Sequence, residues 1–319
     1  MDETLKSPLT VPGGISVEER EAPPLTLRDM FLRRFRRHTM AMVGIVTLVL
    51  LVIYAFGGAL IFPEDYARHN DLDHALEAPS SAHPFGTDSN GRDILARTVY
   101  GGQVSLIIGL SAAFLEIVVG VLIGAIAGYY GGIIDSVLMR FAEAMLIIPQ
   151  IFLLLVMAKF FAGKIPDVTI FGHTSSGSVI VIVVIIGLTS WMYTSRIVRA
   201  EFLSIKEREF VLAARATGTR ISEIIFGHIL PNSIAPIIVS ATLGVANAIL
   251  SEAYISFLGL GVQGTTPTWG NMLEKAYQYI ESAYWLWTFP GLLIILTVLS
   301  INFVGDGLRD ALDPRSRAV

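Results

Sequence analysis

Apolar residues along this chain gather into six runs of roughly 20, the length an α-helix needs to cross a hydrocarbon layer. The runs fall at about 40–62, 104–128, 137–161, 179–199, 233–257 and 285–305. The first, second and sixth are clear. The third holds Glu143 and Pro149, the fourth runs into Trp191 and Arg196, and the fifth holds Asn247 and Glu252. Such interruptions are expected of helices that face other helices or a water path. Residues 1–25 show no hydrophobic period and predict a disordered leader. From Thr26 to His38 the pattern predicts a short amphipathic helix, with Thr26 and Asp29 at capping-box spacing. Its Arg33, Arg34, Arg36 and Arg37 would meet anionic headgroups. Two longer polar segments, 63–103 and 261–284, separate apolar runs, and the second together with the start of the last run carries Trp269, Tyr277, Tyr279, Tyr284, Trp285 and Trp287, rings that favour a membrane interface.

These runs predict an all-α integral membrane protein with six transmembrane helices. Its parts are a tail at 1–39, a first helix and external segment at 40–103, a five-helix core at 104–305 with a loop at 200–231, and a tail at 306–319. No inverted repeat is visible. Composition agrees: 53% of residues are hydrophobic and 16% charged, against about a quarter charged in soluble domains. The first run starts too late and is too long for a cleaved secretory signal, so it is read as a retained anchor. A net charge of −4 provides no basic field for nucleic acid. With no cysteine, disulfides, thiolate metal sites and cysteine nucleophiles are excluded.

Positive charge sets the direction. One set of alternate segments carries seven Lys and Arg in the tail at 1–39, then Arg140, six from Arg196 to Arg220, and Arg309, Arg315 and Arg317. The other carries Arg68, Arg92, Arg97, Lys159, Lys164 and Lys275. Because positive residues concentrate in the cytoplasm, both termini and the 200–231 loop are expected inside.

That loop is the most specific stretch. Glu207 to Thr217 contains no helix breaker, and Phe210, Ala213, Ala214 and Thr217 recur at helical spacing with a small face. Gly218 supplies a residue on which a helix can end. A second apolar pattern, Ile221, Ile224, Ile225 and Ile229, runs to Pro231. A helix-turn-helix with a small face suits docking into a cleft of a soluble partner, although it could equally serve as a connector packed under the bundle.

Ala213-Ala214, three residues, Gly218 and then Leu230-Pro231 resembles the EAA coupling loop of bacterial ABC importer permeases. The stretches HPFGTDSNGRDILARTVYGGQVSLIIGL (83–110), EREFVLAARATG (207–218), SEAYISFLGLGVQ (251–263), PTWGNML (267–273) and LRDALDPR (308–315) resemble the C-type permease of dipeptide and oligopeptide importers. The resemblance spans roughly residues 30 to 315 in matching order. It departs at Leu212, where the triplet usually has Glu, and at His228, where an apolar residue is usual.

The resemblance implies the type I importer fold in a bacterial cytoplasmic (inner) membrane. It implies a second homologous permease, two ATP-binding subunits that hold ATP and Mg²⁺, and an extracytoplasmic solute-binding protein as partners. Coupling would run through a helix at about 205–217, with Glu209, Phe210, Ala213, Ala214 and Gly218 as contact residues. The cargo would be di- or oligopeptides, or in related permeases nickel chelates, glutathione or oligosaccharides. A stand-alone secondary transporter or channel is the reading from another class, and such a protein has no need of a docking helix.

Other chemistries find less support. No G-x-x-x-x-G-K-[ST] phosphate cradle exists, since Gly163-Lys164 is followed by Ile165, so ATP hydrolysis is expected in partners and no cofactor in this chain. Glu116, Glu143 and Glu252 are costly in a membrane and therefore functional candidates, or else groups satisfied near interfaces and helix ends. Glu252, with Asn247 near it, is the best candidate for lining a pore. His69, His74, His83, Asp88 and Asp93 lack trusted metal-ligand spacing, and Asp88-Ser89-Asn90-Gly91 has turn chemistry. Pro149 should kink its helix. Gly120, Gly124 and Gly128, four apart, indicate close helix packing. Ser190 and His228, in different segments with no elbow motif, make a poor hydrolase pair, and no catalytic residue is assigned.

Overall fold

A computed structural model describes residues 27–161, 163–170, 173–263 and 266–312. The leader 1–25, the Thr26 cap and the tail beyond 312 lie outside the described residues. The amphipathic helix forms as α1 (Leu27–Arg37), followed by α2 (Thr39–Val52), which continues through one π turn to Gly57. His38 ends one and caps the other: its Nδ1 accepts from the Ala41 N–H at 3.1 Å.

The longest element is α3 (Ile94–Tyr130), whose 37 residues exceed the expected run by ten at the front. Gly101 and Gly102 do not break it. They make room for a neighbour: a methyl on Gly102 would stand 2.7 Å from the Trp269 ring. The third run is not one straight span. It divides into α4 (Gly132–Ile147) and α5 (Gln150–Phe161), which meet at 87° around Pro149. Proline has no N–H to carry the hydrogen bonding across the break. A hairpin of two antiparallel strands, β1 (Val168–Ile170) and β2 (His173–Ser175), precedes α6 (Gly177–Ile205).

α6 reaches well past the expected end of its run and carries Arg196 and Arg199 inside the helix, so the loop after it starts at Lys206. Arg199 reaches Asp135 of α4 with two hydrogen bonds, one of them 2.6 Å. Lys206 Nζ donates to the Gly128 carbonyl at 3.0 Å, closing the end of α3. After α7 (Glu209–Ala216) come a helical stretch over 221–232, α8 (Ile234–Phe257), the short α9 (Trp269–Leu273) and α10 (Trp285–Leu312).

Helices α3 and α6 form the spine. A Cβ on Gly124 would lie 2.5 Å from the Ser195 carbonyl oxygen, and one on Gly128 2.5 Å from Phe202 Cβ, so the glycine stripe does bring the two backbones together. α10 lies against α2 and α8: Gly44 faces the Ser300 carbonyl and Gly305 faces Leu243. Outward faces stay apolar, with Val46, Leu50, Ile53, Leu122, Ile295 and Leu299 all exposed. In water that surface would be unfavourable, whereas in lipid it is solvated.

α1, the 206–232 loop and the end of α10 gather at one end of the bundle. The opposite end is closed by residues 63–93, α9 and the start of α10. Trp269 and Trp285, expected at an interface, are buried here: their Nε1 atoms donate to the Thr98 and Thr87 carbonyls at 2.8 and 3.0 Å. Tyr277, Tyr284 and Trp287 do remain exposed.

Candidate functional site

Two features stand out, a polar cleft at mid-depth and the loop between α6 and α8. The cleft, about 580 Å³, opens where α4 and α5 part at Pro149 and is walled by α3, α6 and α8. Its polar lining comes from Glu116, Gln150, Ser190, Tyr193, Asn247 and Ser251. Gln150 Nε2 donates to Ser190 Oγ at 3.0 Å, tying α5 to α6 across the bend. Thr194 Oγ1 donates to Glu116 Oε1 at 3.0 Å. Gly244 on α8 gives the carboxylate room, since a Cβ there would lie 3.0 Å from Glu116 Oε2.

The sequence offered Asn247 and Glu252 for a pore, and only Asn247 lies on this cleft. Five helical positions turn a side chain by about 140°, so the two residues cannot share a face. Glu252 is 1% exposed and serves the far end of the bundle. There Ser256 Oγ donates to its Oε1 at 2.7 Å and Ser105 Oγ approaches Oε2 at 3.4 Å, while Ser105 Oγ also accepts from the Trp269 N–H. It fastens α9 to α3 and α8; expecting it to line a pore is corrected by that burial. Glu143 is exposed and pairs with Arg140 at 3.2 Å. Among the three intramembrane carboxylates considered, Glu116 is the one that faces the cleft.

The loop is anchored and presented at once. Val211 is fully buried among Phe202, Ile224 and Ile229, and Ala214 packs partly against the same cluster. Ala214 therefore turns inward, off the face expected for it. Glu209, Phe210, Leu212 and Ala213 are exposed. The helix ends in a Schellman turn: the Thr219 N–H donates to the Ala214 carbonyl at 3.1 Å and the Gly218 N–H to the Arg215 carbonyl at 3.0 Å. Gly218 has φ +77°, a left-handed conformation natural to glycine, and its α-carbon faces open space. His228 stands beside Phe210, ring centroids 6.5 Å apart, far from any arrangement with Ser190 that would do hydrolysis.

At the opposite end a polar cavity of about 320 Å³ is lined by Asp88, Arg92, Arg97, Asn271, Glu274 and Lys275. Arg97 is buried, with its Nη1 lacking a hydrogen-bond partner. The turn expected at Asp88 is present, with Oδ1 accepting from the Asn90 and Arg92 N–H groups. The nearby histidines work in pairs, His74 with Asp71 and His83 with Asp93.

Comparison with known proteins agrees with this architecture. Residues 120–318 match the family model described as binding-protein-dependent transport system inner membrane component, and 26–79 match the N-terminal TM domain of oligopeptide transport permease C. The dipeptide transport system permease protein DppC of Alkalihalophilus pseudofirmus is 41% identical over 291 residues, covering 91% of this chain and 90% of its own. The oligopeptide transport system permease protein OppC of Haemophilus influenzae is 37% identical over 303 residues, with 94% and 93% covered. Among solved structures, the MetNI methionine ABC transporter in an inward-facing conformation aligns with TM-score 0.52 at 20% identity, over 67% of this chain and 96% of that one. At that identity the likeness is one of fold, that of a type I importer permease.

Proposed function

Because the chain belongs to the family of binding-protein-dependent transport system inner membrane components, we propose that it is the pore-forming subunit of an ATP-driven importer for di- or oligopeptides. The cargo follows from relatives named for dipeptide and oligopeptide transport that align over some nine-tenths of the chain. ATP and Mg²⁺ sit in partner subunits. A second related permease completes the pathway, two ATPase subunits dock at the α7 end, and a solute-binding protein meets the opposite end near Arg97 and Lys275. The excess of positive residues on the α7 side supports a cytoplasmic position for both termini and the loop.

The observation that carries this reading is how α7 is mounted. Val211 fixes it to the bundle while Glu209, Phe210 and Ala213 stand free for a partner. It joins α6 to α8, and both of these helices line the cleft. A push on α7 as the ATPases close is thereby passed to the cleft wall, which is how nucleotide could open or shut a path at mid-membrane. Because packed helices shift as rigid bodies between discrete arrangements, a small displacement at the loop suffices.

Purification of the tagged chain from its native membrane tests the assembly. Two ATPase subunits and a second permease are expected to come with it. A chain that purifies alone and moves solute in liposomes without ATP would make it a stand-alone carrier.

A further inference from the structure

Glu116 is the one charged side chain lining the cleft among the described residues, since no Lys, Arg or His reaches it. It lies about 33 Å from the start of α3 and about 21 Å from its end, well inside the hydrocarbon depth. Glu116 is 7% exposed and its carboxylate receives a hydrogen bond from Thr194, with no cation among the described residues of the cleft beside it. A carboxylate held this deep without a counter-charge is unfavourable until a proton or a cationic partner neutralises it. The surroundings suit such a partner. Tyr193, Ser190, Gln150 and Asn247 supply oxygen acceptors around the cleft, and Gly244, with no side chain to crowd Oε2, lets the carboxylate border the cleft beside α8.

We infer that Glu116 forms a subsite for a primary ammonium group in the translocation path, Oε2 taking a charge-assisted hydrogen bond from the passing cargo. This deepens the importer reading and rests on it. A peptide brings such a group at its N-terminus, and a lysine side chain brings a second. The site is weak by design of its solvation: one carboxylate and a few neutral oxygens hold the cation long enough to enter and let it leave.

Glu116→Gln keeps the shape and still accepts from Thr194, so it removes the charge alone. The complete complex, with its binding protein and ATP, is reconstituted in liposomes and uptake of dialanine and of dilysine is measured beside binding-protein-stimulated ATP hydrolysis. Wild-type uptake reports on the importer reading; the ratio of variant to wild type reports on Glu116. We expect a loss of about tenfold in uptake, the scale of one charge-assisted hydrogen bond, with ATP hydrolysis still stimulated, and partial recovery in Glu116→Asp. Slowing of both cargoes assigns the subsite to the peptide N-terminus, and slowing of dilysine alone assigns it to lysine side chains. Wild-type rates for both in Glu116→Gln would overturn the subsite, as would a defect equally deep in Glu116→Asp.

Discussion

Gly218 and Val211 divide the work of the docking helix, one by backbone and the other by burial. At φ +77° a β-branched residue would cost about 1–2 kcal/mol, enough to unwind the Schellman turn but not to unfold a bundle whose core lies elsewhere. Gly218→Val should therefore leave the subunit inserted and assembled while uptake falls and ATP hydrolysis continues. Ala213→Asp should do the same by placing charge on the exposed small face. Normal uptake by both would remove the loop from the coupling path. At the other end, Asp71 holds the His74 imidazole above its ordinary 6.5 through a hydrogen bond and its charge. That pair stabilises the external segment below the ordinary value and fades as pH rises through the raised one. A titration by NMR should show His74 returning toward 6.5 in Asp71→Asn; an unmoved midpoint would deny the contact.

Helix packing is where glycine does most for this molecule. Gly124 sits so close to Ser195 and Val198 that any larger side chain must part α3 from α6. Gly124→Leu should cost about 1–3 kcal/mol by overpacking, read as a lower melting temperature of the purified complex. The stripe was legible because its spacing of four is a helix period. Likewise five of the six runs became single helices long and apolar enough to cross a membrane, since lipid demands apolar length, while the third became the pair bent at Pro149. What sequence did not reveal depended on tertiary neighbours. Pro149 announced a kink, but not the 87° between α4 and α5, which leaves Leu154 and Ala158 in one buried cluster with Ile182 and Ile185. Gly101 and Gly102 accommodate Thr268 and Trp269 within an unbroken helix, a contact that only the tertiary neighbours define. Glu252 and Asn247 looked like one site because they are near in sequence. Helical phase separates them, and Glu116, from another helix, joins Asn247 on the cleft instead.

Across the whole molecule, the ends differ in what they present: α1, the docking loop and most of the cations at one, a buried-tryptophan cap at the other. The absence of cysteine makes the orientation directly measurable. Single replacements at exposed Glu207 and Tyr277 should react differently with an impermeant maleimide in spheroplasts. Tyr277→Cys is expected to label at once and Glu207→Cys only after the membrane is opened; the reverse pattern would invert the topology. The central claim joins both ends through the cleft, and peptide uptake into liposomes tests it most directly. With the second permease, the ATPases and the binding protein present, labelled dialanine should accumulate only when ATP is supplied on the α7 side. Accumulation without ATP, or none with every partner present and ATP being hydrolysed, would contradict it.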